Sequence, residues 1–401
     1  MKILFVNTYF SPNMFGGTEH SVKLLASFFS KKYSCAVFSV DSIAKGLERN
    51  VVDNVTVYRS GSVFFDFKSR YTKKEHFFCK MKNRLADLYN PVASAHFKKV
   101  LDEFEPDIVH TNGLRGIGPQ IWEIANQRGV KIVHTLRDYH AADPLMREST
   151  PSSPFIMFWR YLWNQKSSFI DVVTATSTFA LNKMLKAGFS HNKSCITIPN
   201  GIPFEKREFL ENIEYSKNQK RKNTRFLFAG TLVDFKGVLN LLEAYVRLQK
   251  EISSVELVYC GEGPLLEQIR RCSNCYPGIY IRGKLDVNAM KREFLEADVC
   301  VVPSLWEEPF GRVVVEAAYN GCALIVSNRG GIPEIIQKLG AGIVCDCSNI
   351  DQLTTAMACL CDEKKRRLQL DCFRNSVEYF SISNNINSFD VLYTRLCKTN
   401  V

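Results

Sequence analysis

The sequence has no long hydrophobic run, because none reaches the roughly 18 apolar residues that a membrane-spanning helix requires. The longest candidate, Pro154–Trp163, is interrupted by Arg160. The residues from Met1 to Asn7 form an apolar run that is too short for the core of a signal peptide and predicts a buried strand. These absences exclude a membrane-spanning chain and favour a cytoplasmic location.

Glycine and proline are also sparse, at 22 and 14 of 401 residues, which excludes collagen-like and low-complexity chains. Hydrophobic residues make up 46% and charged residues 23% of the chain, so a largely disordered protein is excluded as well. The length exceeds what one hydrophobic core normally organises and therefore favours two domains.

The 14 cysteines are diluted in a long chain, so free buried thiols are expected rather than a disulfide framework. Cys272–Cys275 is the only Cys-x-x-Cys motif in the sequence. The pairs in Cys345–Cys347 and Cys359–Cys361 have poor spacing to complete a zinc site with it. The cysteine pattern therefore predicts no metal centre.

Positive charge is concentrated in the first half of the chain. Residues 1–200 contain 26 Lys and Arg against 16 Asp and Glu, whereas residues 201–401 contain 26 against 25. Much of the excess lies in residues 68–99, where apolar side chains from Phe77 to Leu88 fall at helical spacing. This pattern fits a basic helix that faces an anionic membrane surface, at the inner face of the membrane, or a solvated helix over the core. No nucleic-acid recognition motif accompanies the charge, so nucleic acid is not an expected partner.

Strand-like and helical segments alternate along the chain, as in parallel sheets built from crossover units. One series ends near Ile198 and a second begins at Arg225, which predicts two Rossmann-like, doubly wound α/β domains facing a central cleft. The expected domains are residues 1–203 and 225–382. A polar connection is expected at 204–224, and residues 383–401 have the apolar spacing of a helix that packs back on the first domain.

Gly16 and Gly17 follow the first strand and open a helix. At such a position, missing Cβ atoms allow backbone N–H groups and the helix dipole to approach a diphosphate. A plain turn is the alternative. The pair does not form the Gly-x-Gly-x-x-Gly fingerprint, so NAD binding is not predicted.

The richest cluster of functional residue types is the segment Pro303–Glu316. An apolar strand ends at Pro303, a loop carries Glu308, the Phe310–Gly311 turn exposes backbone N–H groups, and the next helix carries Glu316. Carboxylates accept hydrogen bonds from vicinal hydroxyls, and a helix N-terminus favours phosphate. A nucleotide-sugar offers a ribose diol, a sugar ring and a diphosphate, and so it matches all of these groups.

With the motifs around it, this segment resembles the large retaining glycosyltransferase family of GT-B fold, called group 1 or family four. The further motifs occur in the family's order: Gly16-Gly17, Asp107–His110, Ser177 with Phe179, Pro199–Gly201, Ala229-Gly230, Lys236-Gly237, Gly261–Pro264 and Gly330–Glu334.

The resemblance implies transfer of a hexose-type sugar from a nucleotide-diphosphate donor to an acceptor hydroxyl, with the anomeric configuration retained. The expected acceptor is a lipid-linked oligosaccharide or a surface polysaccharide, bound by the N-terminal domain, while the C-terminal domain binds the donor. The family implies that Glu308 contacts the donor sugar, that Glu316 binds ribose and that Lys236 neutralises the departing diphosphate. The implied donor-binding residues are Gly16, Gly17, Lys236, Gly283, Glu308, Phe310, Gly311, Arg312 and Glu316.

No Asp-x-Asp occurs in the chain, so no metal or other cofactor is expected, the nucleotide-sugar being a substrate. Without a metal, the leaving-group charge must be offset by fixed cations and dipoles.

Two positions depart from the family pattern. Thr231 and Arg137 stand where many members have arginine and a catalytic-site histidine. Arginine cannot act as a base at neutral pH, but it can bind the donor sugar or stabilise developing charge. His110, at another strand end, is a further catalytic candidate, with a structural histidine as the alternative.

Two other functions remain open. A GT-B nucleotide-sugar 2-epimerase uses the same architecture without an acceptor, although the family motifs argue against it. A non-catalytic, nucleotide-sugar-binding partner of a transferase is motivated by the departures at Thr231 and Arg137. The residue types do not distinguish UDP, GDP and ADP donors.

Overall fold

A computed structural model describes residues 1–13, 16–41, 44, 46–61, 77–144, 154–189 and 193–398, apart from the side chains of 77–82. The chain divides into two compact units. The N-terminal unit combines Met1–Asn200 with Asn385–Val401, and the C-terminal unit is Gly201–Asn384.

The N-terminal unit is a sheet that is parallel except for one edge strand, with helices between its strands. Its strands are β1 (Lys2–Val6), β2 (Ser34–Asp41), β3 (Leu47–Val52), β4 (Val55–Gly61), β5 (Ile108–Thr111), β6 (Lys131–Leu136), β7 (Val172–Ala175) and β8 (Ser194–Thr197). Its helices are α1 (Gly17–Phe29), α2 (Phe77–Leu88), α3 (Pro91–Phe104), α4 (Gln120–Asn126), α5 (Pro154–Ser167) and α6 (Thr178–Lys186). The strand order is β3-β4-β2-β1-β5-β6-β7-β8. Strands β2 to β4 lie on one side of β1 and strands β5 to β8 on the other, so the order reverses between β1 and β5.

Strand β3 was not expected from the sequence. It pairs antiparallel with β4 alone, at the edge of the sheet, and most of its residues are exposed. A strand with no buried face lacks the alternation of apolar and polar residues that would reveal it. Asp53 and Asn54 both have positive φ, 50° and 63°, and form the two-residue turn that joins β3 to β4.

The C-terminal unit repeats this architecture. Its strands are β9 (Thr224–Ala229), β10 (Val255–Cys260), β11 (Ile279–Gly283), β12 (Val299–Val302), β13 (Ala323–Ser327) and β14 (Ile343–Cys345). Its helices are α7 (Lys206–Asn218), α8 (Val238–Glu251), α9 (Leu266–Cys275), α10 (Val287–Glu296), α11 (Arg312–Tyr319), α12 (Ile332–Leu339), α13 (Ile350–Cys359) and α14 (Glu363–Phe373). The order β11-β10-β9-β12-β13-β14 reverses at β9 and β12. Two Rossmann-like units confirm the expected α/β fold class.

The segment 204–224, expected as the connection between domains, is instead largely helix α7. Phe209 and Ile213, four residues apart, are buried in the core of the C-terminal unit, and the charged residues around them form the exposed side. Only two strongly apolar positions mark the buried face, which is why the segment resembles a polar linker in sequence.

The last helix, α15 (Ile382–Lys398), supplies side chains to the core of the N-terminal unit. Phe389 and Tyr393 are almost fully buried there, and Asp390 accepts a hydrogen bond from Tyr33 Oη at 2.7 Å.

Of the basic segment 68–99, residues 68–76 lie outside the described residues, and 77–88 form α2. No helix in the described part of the chain is both long and apolar enough to cross a bilayer. The described cysteines are free thiols.

Candidate donor-binding site

The central strands of the C-terminal sheet, β9 and β12, lie side by side where the strand order reverses. In doubly wound sheets, ligands bind beyond the carboxyl ends of the strands at this point. The loop that follows β9 carries Lys236, and the loop that follows β12 carries Glu308. The topology therefore brings the two loops to one edge of the sheet.

Backbone contacts hold these two loops together. The carbonyl of Phe235 accepts hydrogen bonds from the N–H groups of Leu305 and Trp306, at 2.9 and 3.1 Å. Gly237 has φ 69°, and a Cβ atom there would lie 1.9 Å from the carbonyl oxygen of Pro303. Only glycine allows this approach.

Lys236 and Glu308 form an ion pair, with 2.5 Å between Nζ and Oε1. The side chains are 27% and 15% exposed, so the pair is partly shielded but remains open to solvent. The site thus places an ammonium group beside a carboxylate at one edge of the sheet.

The loop that follows β13 contacts the backbone of Glu308 and holds it in place. The N–H of Gly331 donates to the carbonyl oxygen of Glu308 at 2.7 Å. Gly330 has φ 69°, and a Cβ atom there would lie 2.4 Å from the backbone nitrogen and oxygen of Glu308. A larger residue at 330 would displace the backbone of Glu308.

Helix α11 begins directly after the loop that carries Glu308, with Gly311 as its N-cap at φ 93°. No side chain among the described residues caps the first turn, and the N–H of Val314 donates to the carbonyl oxygen of Gly311 at 3.0 Å. The N–H groups of Arg312 and Val313 and the positive end of the helix dipole are therefore available to an anion. The side chain of Phe310 is 5% exposed and packs in the core against Phe380. The expected contact of a donor with the backbone N–H groups of the Phe310–Gly311 turn stays a prediction.

Arg312 and Glu316 form a second ion pair one turn apart, with 2.7 Å between Nε and Oε1. The Glu316 side chain is 31% exposed, and the Arg312 side chain is 16% exposed. Nη1 of Arg312 is buried without a hydrogen-bond partner. The pair fixes the direction of the Glu316 carboxylate.

Gly283 lies at the end of β11, which is separated from β9 by β10. Its carbonyl accepts a hydrogen bond from the N–H of Gly261 at 2.8 Å, which joins neighbouring strand ends. Gly283 is therefore on the same edge of the sheet as Lys236 but two strands away.

Gly16 and Gly17 belong to the N-terminal unit, where α1 begins at Gly17. Within the described residues no side chain caps this helix, and Glu19 occupies its first turn. Gly16 has an extended backbone, which any residue can adopt.

His110 is a core residue of the N-terminal unit, which favours the structural alternative over the catalytic one. It is fully buried, with Nδ1 at 2.5 Å from Tyr393 Oη and Nε2 at 2.6 Å from Thr135 Oγ1. Burial, with the neighbouring charges of Arg137 and His134, lowers the pKa of His110 well below 6.5. A neutral imidazole with both nitrogens engaged has no free position for a substrate proton.

Arg137, at the end of β6, is held by two asparagines. Its Nε donates to Asn112 Oδ1 at 2.7 Å, and its Nη1 donates to Asn200 Oδ1. The sequence did not assign a role to either asparagine, although Asn200 lies in the Pro-Asn-Gly motif. The two amides orient the guanidinium group at the carboxyl edge of the N-terminal sheet.

Two family models match the chain. The model for glycosyl transferases group 1 matches residues 211–372, and that for glycosyltransferase family 4 matches residues 15–206. A Klebsiella pneumoniae protein described as an uncharacterized 42.6 kDa protein in the cps region is 28% identical over 84% of this chain and 88% of its own length. The Salmonella typhimurium lipopolysaccharide 1,2-N-acetylglucosaminetransferase is 31% identical over 35% of this chain and 40% of its own length.

Solved structures share the fold over the whole chain. Sucrose-phosphate synthase of Thermosynechococcus elongatus superposes with a TM-score of 0.77 and 19% identity, covering 99% of both chains. The Anabaena protein HepE, solved with UDP and glucose, gives a TM-score of 0.69 and 17% identity, covering 98% of this chain and 99% of its own. The solved structures show a GT-B fold, and the two family models show a glycosyltransferase. The chain belongs to the group 1 glycosyltransferases.

Proposed function

We propose that this protein transfers a hexose-type sugar from a nucleoside diphosphate donor to a hydroxyl of a lipid-linked oligosaccharide or surface polysaccharide. The anomeric configuration is retained and no metal ion takes part. The observation that carries the proposal is the Lys236–Glu308 pair at the adjoining strand ends, beside the uncapped helix α11. The Salmonella relative, named a lipopolysaccharide transferase, and HepE, solved with UDP and glucose, support the classes of acceptor and donor.

In the reaction, the bond between the anomeric carbon and the diphosphate oxygen breaks, and the diphosphate keeps the electron pair. The acceptor hydroxyl oxygen bonds to the anomeric carbon, and its proton passes to the departing diphosphate. Because the diphosphate keeps the electron pair, its negative charge grows in the transition state. The ammonium group of Lys236 and the N–H groups at the start of α11 are fixed before the reaction, so they stabilise this charge without reorganisation.

The two carboxylates bind hydroxyl groups. Glu308 accepts hydrogen bonds from the sugar, and Glu316 accepts them from the ribose diol. Each carboxylate is paired with a cation on its own unit, Lys236 or Arg312, which holds it in position before the donor arrives.

Arg137 binds a ligand and does not abstract a proton, since a guanidinium group cannot serve as a base. The contacts with Asn112 and Asn200 orient it for an anionic or hydroxyl-rich ligand.

Turnover with a panel of UDP-, GDP- and ADP-sugars tests this function, with nucleoside diphosphate release as the readout. The proposal expects release that depends on an acceptor, and a product whose anomeric signal in NMR matches the donor configuration. Inversion would refute retention. Binding of a donor without any turnover would instead support the non-catalytic partner, which the Thr231 departure motivates.

Chelation tests the absence of a metal. Activity should survive EDTA, because Lys236 and the α11 N-terminus offset the leaving-group charge and the sequence has no Asp-x-Asp. Activity that disappears with EDTA and returns with Mg²⁺ or Mn²⁺ would contradict this.

Because the proposed acceptor is lipid-linked, we also propose that the protein works at the inner face of the membrane. Residues 68–99 attach it to the anionic lipid surface. Each basic residue near such a surface contributes about 1 kcal/mol, screened by salt. Replacing Lys73, Lys74, Lys80 and Lys82 by glutamate should prevent low-salt sedimentation with anionic vesicles and leave donor binding unchanged. Wild-type protein that does not sediment would refute the attachment.

A further inference from the structure

Two buried thiols face each other at the end of β14. The Sγ atoms of Cys345 and Cys347 are 3.7 Å apart, and the residues are 9% and 1% exposed. A buried thiol among apolar side chains is normally inert, because it has no partner to react with. Here each thiol has the other as a neighbour. A disulfide would need the two sulfur atoms to approach by about 1.7 Å, since an S–S bond is about 2.0 Å long.

A second Cys-x-Cys pair, Cys359 and Cys361 at the end of α13, has the same spacing but different contacts. The Sγ atom of Cys359 accepts a hydrogen bond from Lys365 Nζ at 3.4 Å, and the Sγ atom of Cys361 lies 3.6 Å from the carbonyl oxygen of Met357. Both residues are more exposed than the pair on β14. The contact between Cys345 and Cys347 is therefore a property of their place in the fold and not of the spacing alone.

The backbone of each cysteine on β14 is anchored to a neighbouring element. The carbonyl oxygen of Cys345 accepts a hydrogen bond from the N–H of Asn328, just after β13, at 3.0 Å. The carbonyl oxygen of Cys347 accepts one from Asn240 Nδ2, on α8, at 3.0 Å. A ring closed through a single intervening residue bends the backbone between its two cysteines, so it displaces these anchored carbonyls.

The loop that begins at Asn328 connects this strand end to the candidate donor site. Arg329 Nη1 donates to the carbonyl oxygen of Leu305, in the loop that follows β12, at 3.0 Å. Two residues further, the N–H of Gly331 donates to the carbonyl oxygen of Glu308 at 2.7 Å. Residues 328–331 therefore contact Cys345 at one end and the loop that carries Glu308 at the other.

Thiol–disulfide exchange with a small-molecule disulfide, such as glutathione disulfide, would join the two sulfurs. Cys345 is the better first nucleophile, because it is the more exposed of the two and a hydrogen bond from the Cys347 thiol lowers the pKa of Cys345. Its thiolate attacks one sulfur of glutathione disulfide and releases one glutathione thiolate. The Cys347 thiolate then attacks Cys345 Sγ and releases the second. The two cysteines lose two electrons and two protons, and glutathione disulfide is reduced to two molecules of glutathione.

We propose that Cys345 and Cys347 are a site of reversible disulfide formation, and that this bond loosens the contact of residues 328–331 with Glu308 and weakens donor binding. The reduced protein is the form that binds the donor well. Only the effect on donor binding rests on the proposed function. The disulfide and its effect on the loop are measured without a donor, so the two can fail separately.

The first test incubates the full chain with glutathione disulfide, alkylates the remaining thiols and measures peptide masses. Digestion before Asp351 places the two Cys-x-Cys pairs in different peptides. The peptide with Cys345 and Cys347 should be lighter by two hydrogen atoms than its reduced form and carry neither alkyl groups nor glutathione. Cys359 and Cys361 should not join each other, although they are more exposed. Dithiothreitol should restore both thiols on β14.

The second test compares the oxidised and reduced wild type. Hydrogen–deuterium exchange without donor should be faster after oxidation in peptides that cover residues 305–310 and 328–334. Donor affinity should fall about fivefold, the size of effect expected for the loss of one hydrogen bond. Because the wild type is compared with itself, neither measurement depends on the folding of a variant.

Variants assign the effect to the pair on β14. Cys345→Ala and Cys347→Ala should each bind the donor as the reduced wild type does and no longer respond to glutathione disulfide. The double variant Cys359→Ser/Cys361→Ser is the matched control and should keep the full response.

Three results would overturn the proposal. The first is that Cys345 and Cys347 stay thiols at oxidant concentrations that modify Cys359 and Cys361. The second is a mixed disulfide with glutathione that persists on Cys345. The third is a disulfide on β14 that changes neither the exchange of residues 328–334 nor donor affinity. A protein that binds no nucleotide-sugar would refute the proposed function instead, and the mass and exchange measurements would still decide this proposal.

Discussion

Replacing Lys236 by methionine removes the ammonium group of the Lys236–Glu308 pair and keeps a side chain of similar length. The folded state should lose about 1–2 kcal/mol, because Glu308 is partly buried and loses its cation, while the pair as a whole remains open to water. Turnover should fall much more. Removing one fixed group that stabilises developing charge costs about 2.7–4 kcal/mol, or about 10²–10³ in kcat.

Steady-state kinetics, donor calorimetry and urea unfolding of the same preparation separate these effects. The loss in kcat should exceed the loss in donor affinity, because the charge on the diphosphate is greater in the transition state than in the bound donor. Lys250→Met, at an exposed position near the end of α8, is the matched control and should behave like the wild type. A kcat within about threefold of the wild type would refute the role of Lys236, since it corresponds to less than about 1 kcal/mol.

Three further predictions follow from the geometry. Glu316→Ala should weaken donor binding by about 1–3 kcal/mol in calorimetry. Glu316→Gln should be affected less, because its amide oxygen still accepts a hydrogen bond. Equal donor affinity in the wild type and both variants would contradict this. Gly330→Ala should lower both stability and activity, because the new Cβ meets the backbone of Glu308 at 2.4 Å. The control Gly340→Ala has φ 76° and open space around its Cβ. It should lose only about 1–3 kcal/mol of unfolding free energy in urea, from backbone strain, and keep its activity. Burial lowers the pKa of His134 from 6.5 to about 4, so the unfolded chain takes up a proton before the folded protein does. The contribution of His134 to the free energy of unfolding is complete above pH 6.5 and should fall by about 1.4 kcal/mol per pH unit between pH 6.5 and 4. The free energy of unfolding of His134→Asn should fall less over this range. A wild-type free energy of unfolding that is constant over the range would exclude the effect.

The strands of both sheets were predictable because most of them are buried on both faces. Such strands appear in sequence as short apolar runs, as in Val299–Val302, and need no knowledge of their neighbours. Strand β3 and helix α7 escaped this reasoning because one is exposed and the other buries only a narrow stripe.

The strand-end pattern of the sequence predicted a site with Glu308 and Glu316, and the family resemblance added Lys236. The structure brings Lys236 and Glu308 together because neighbouring strand ends in a parallel sheet collect their loops at one edge. The pairing of Lys236 with Glu308 joins residues 72 positions apart and needed the structure. The burial of individual side chains could not be predicted from the sequence, because it depends on residues far away in the chain. His110 is enclosed by Tyr393, which lies 283 residues away, and Phe310 is enclosed by Phe380.

Hydrogen–deuterium exchange with and without the donor tests most directly whether the donor binds at the edge formed by β9, β12 and β13. Once turnover or thermal-shift screening has identified a nucleotide-sugar, saturating the protein with it should slow exchange in peptides that cover residues 230–237, 303–316 and 330–334. The free N–H groups at the start of α11 and the loop around Lys236 should show the largest protection, because these are the groups proposed to contact the diphosphate. Unchanged exchange in all three segments at saturating donor, or protection confined to other parts of the chain, would contradict the account.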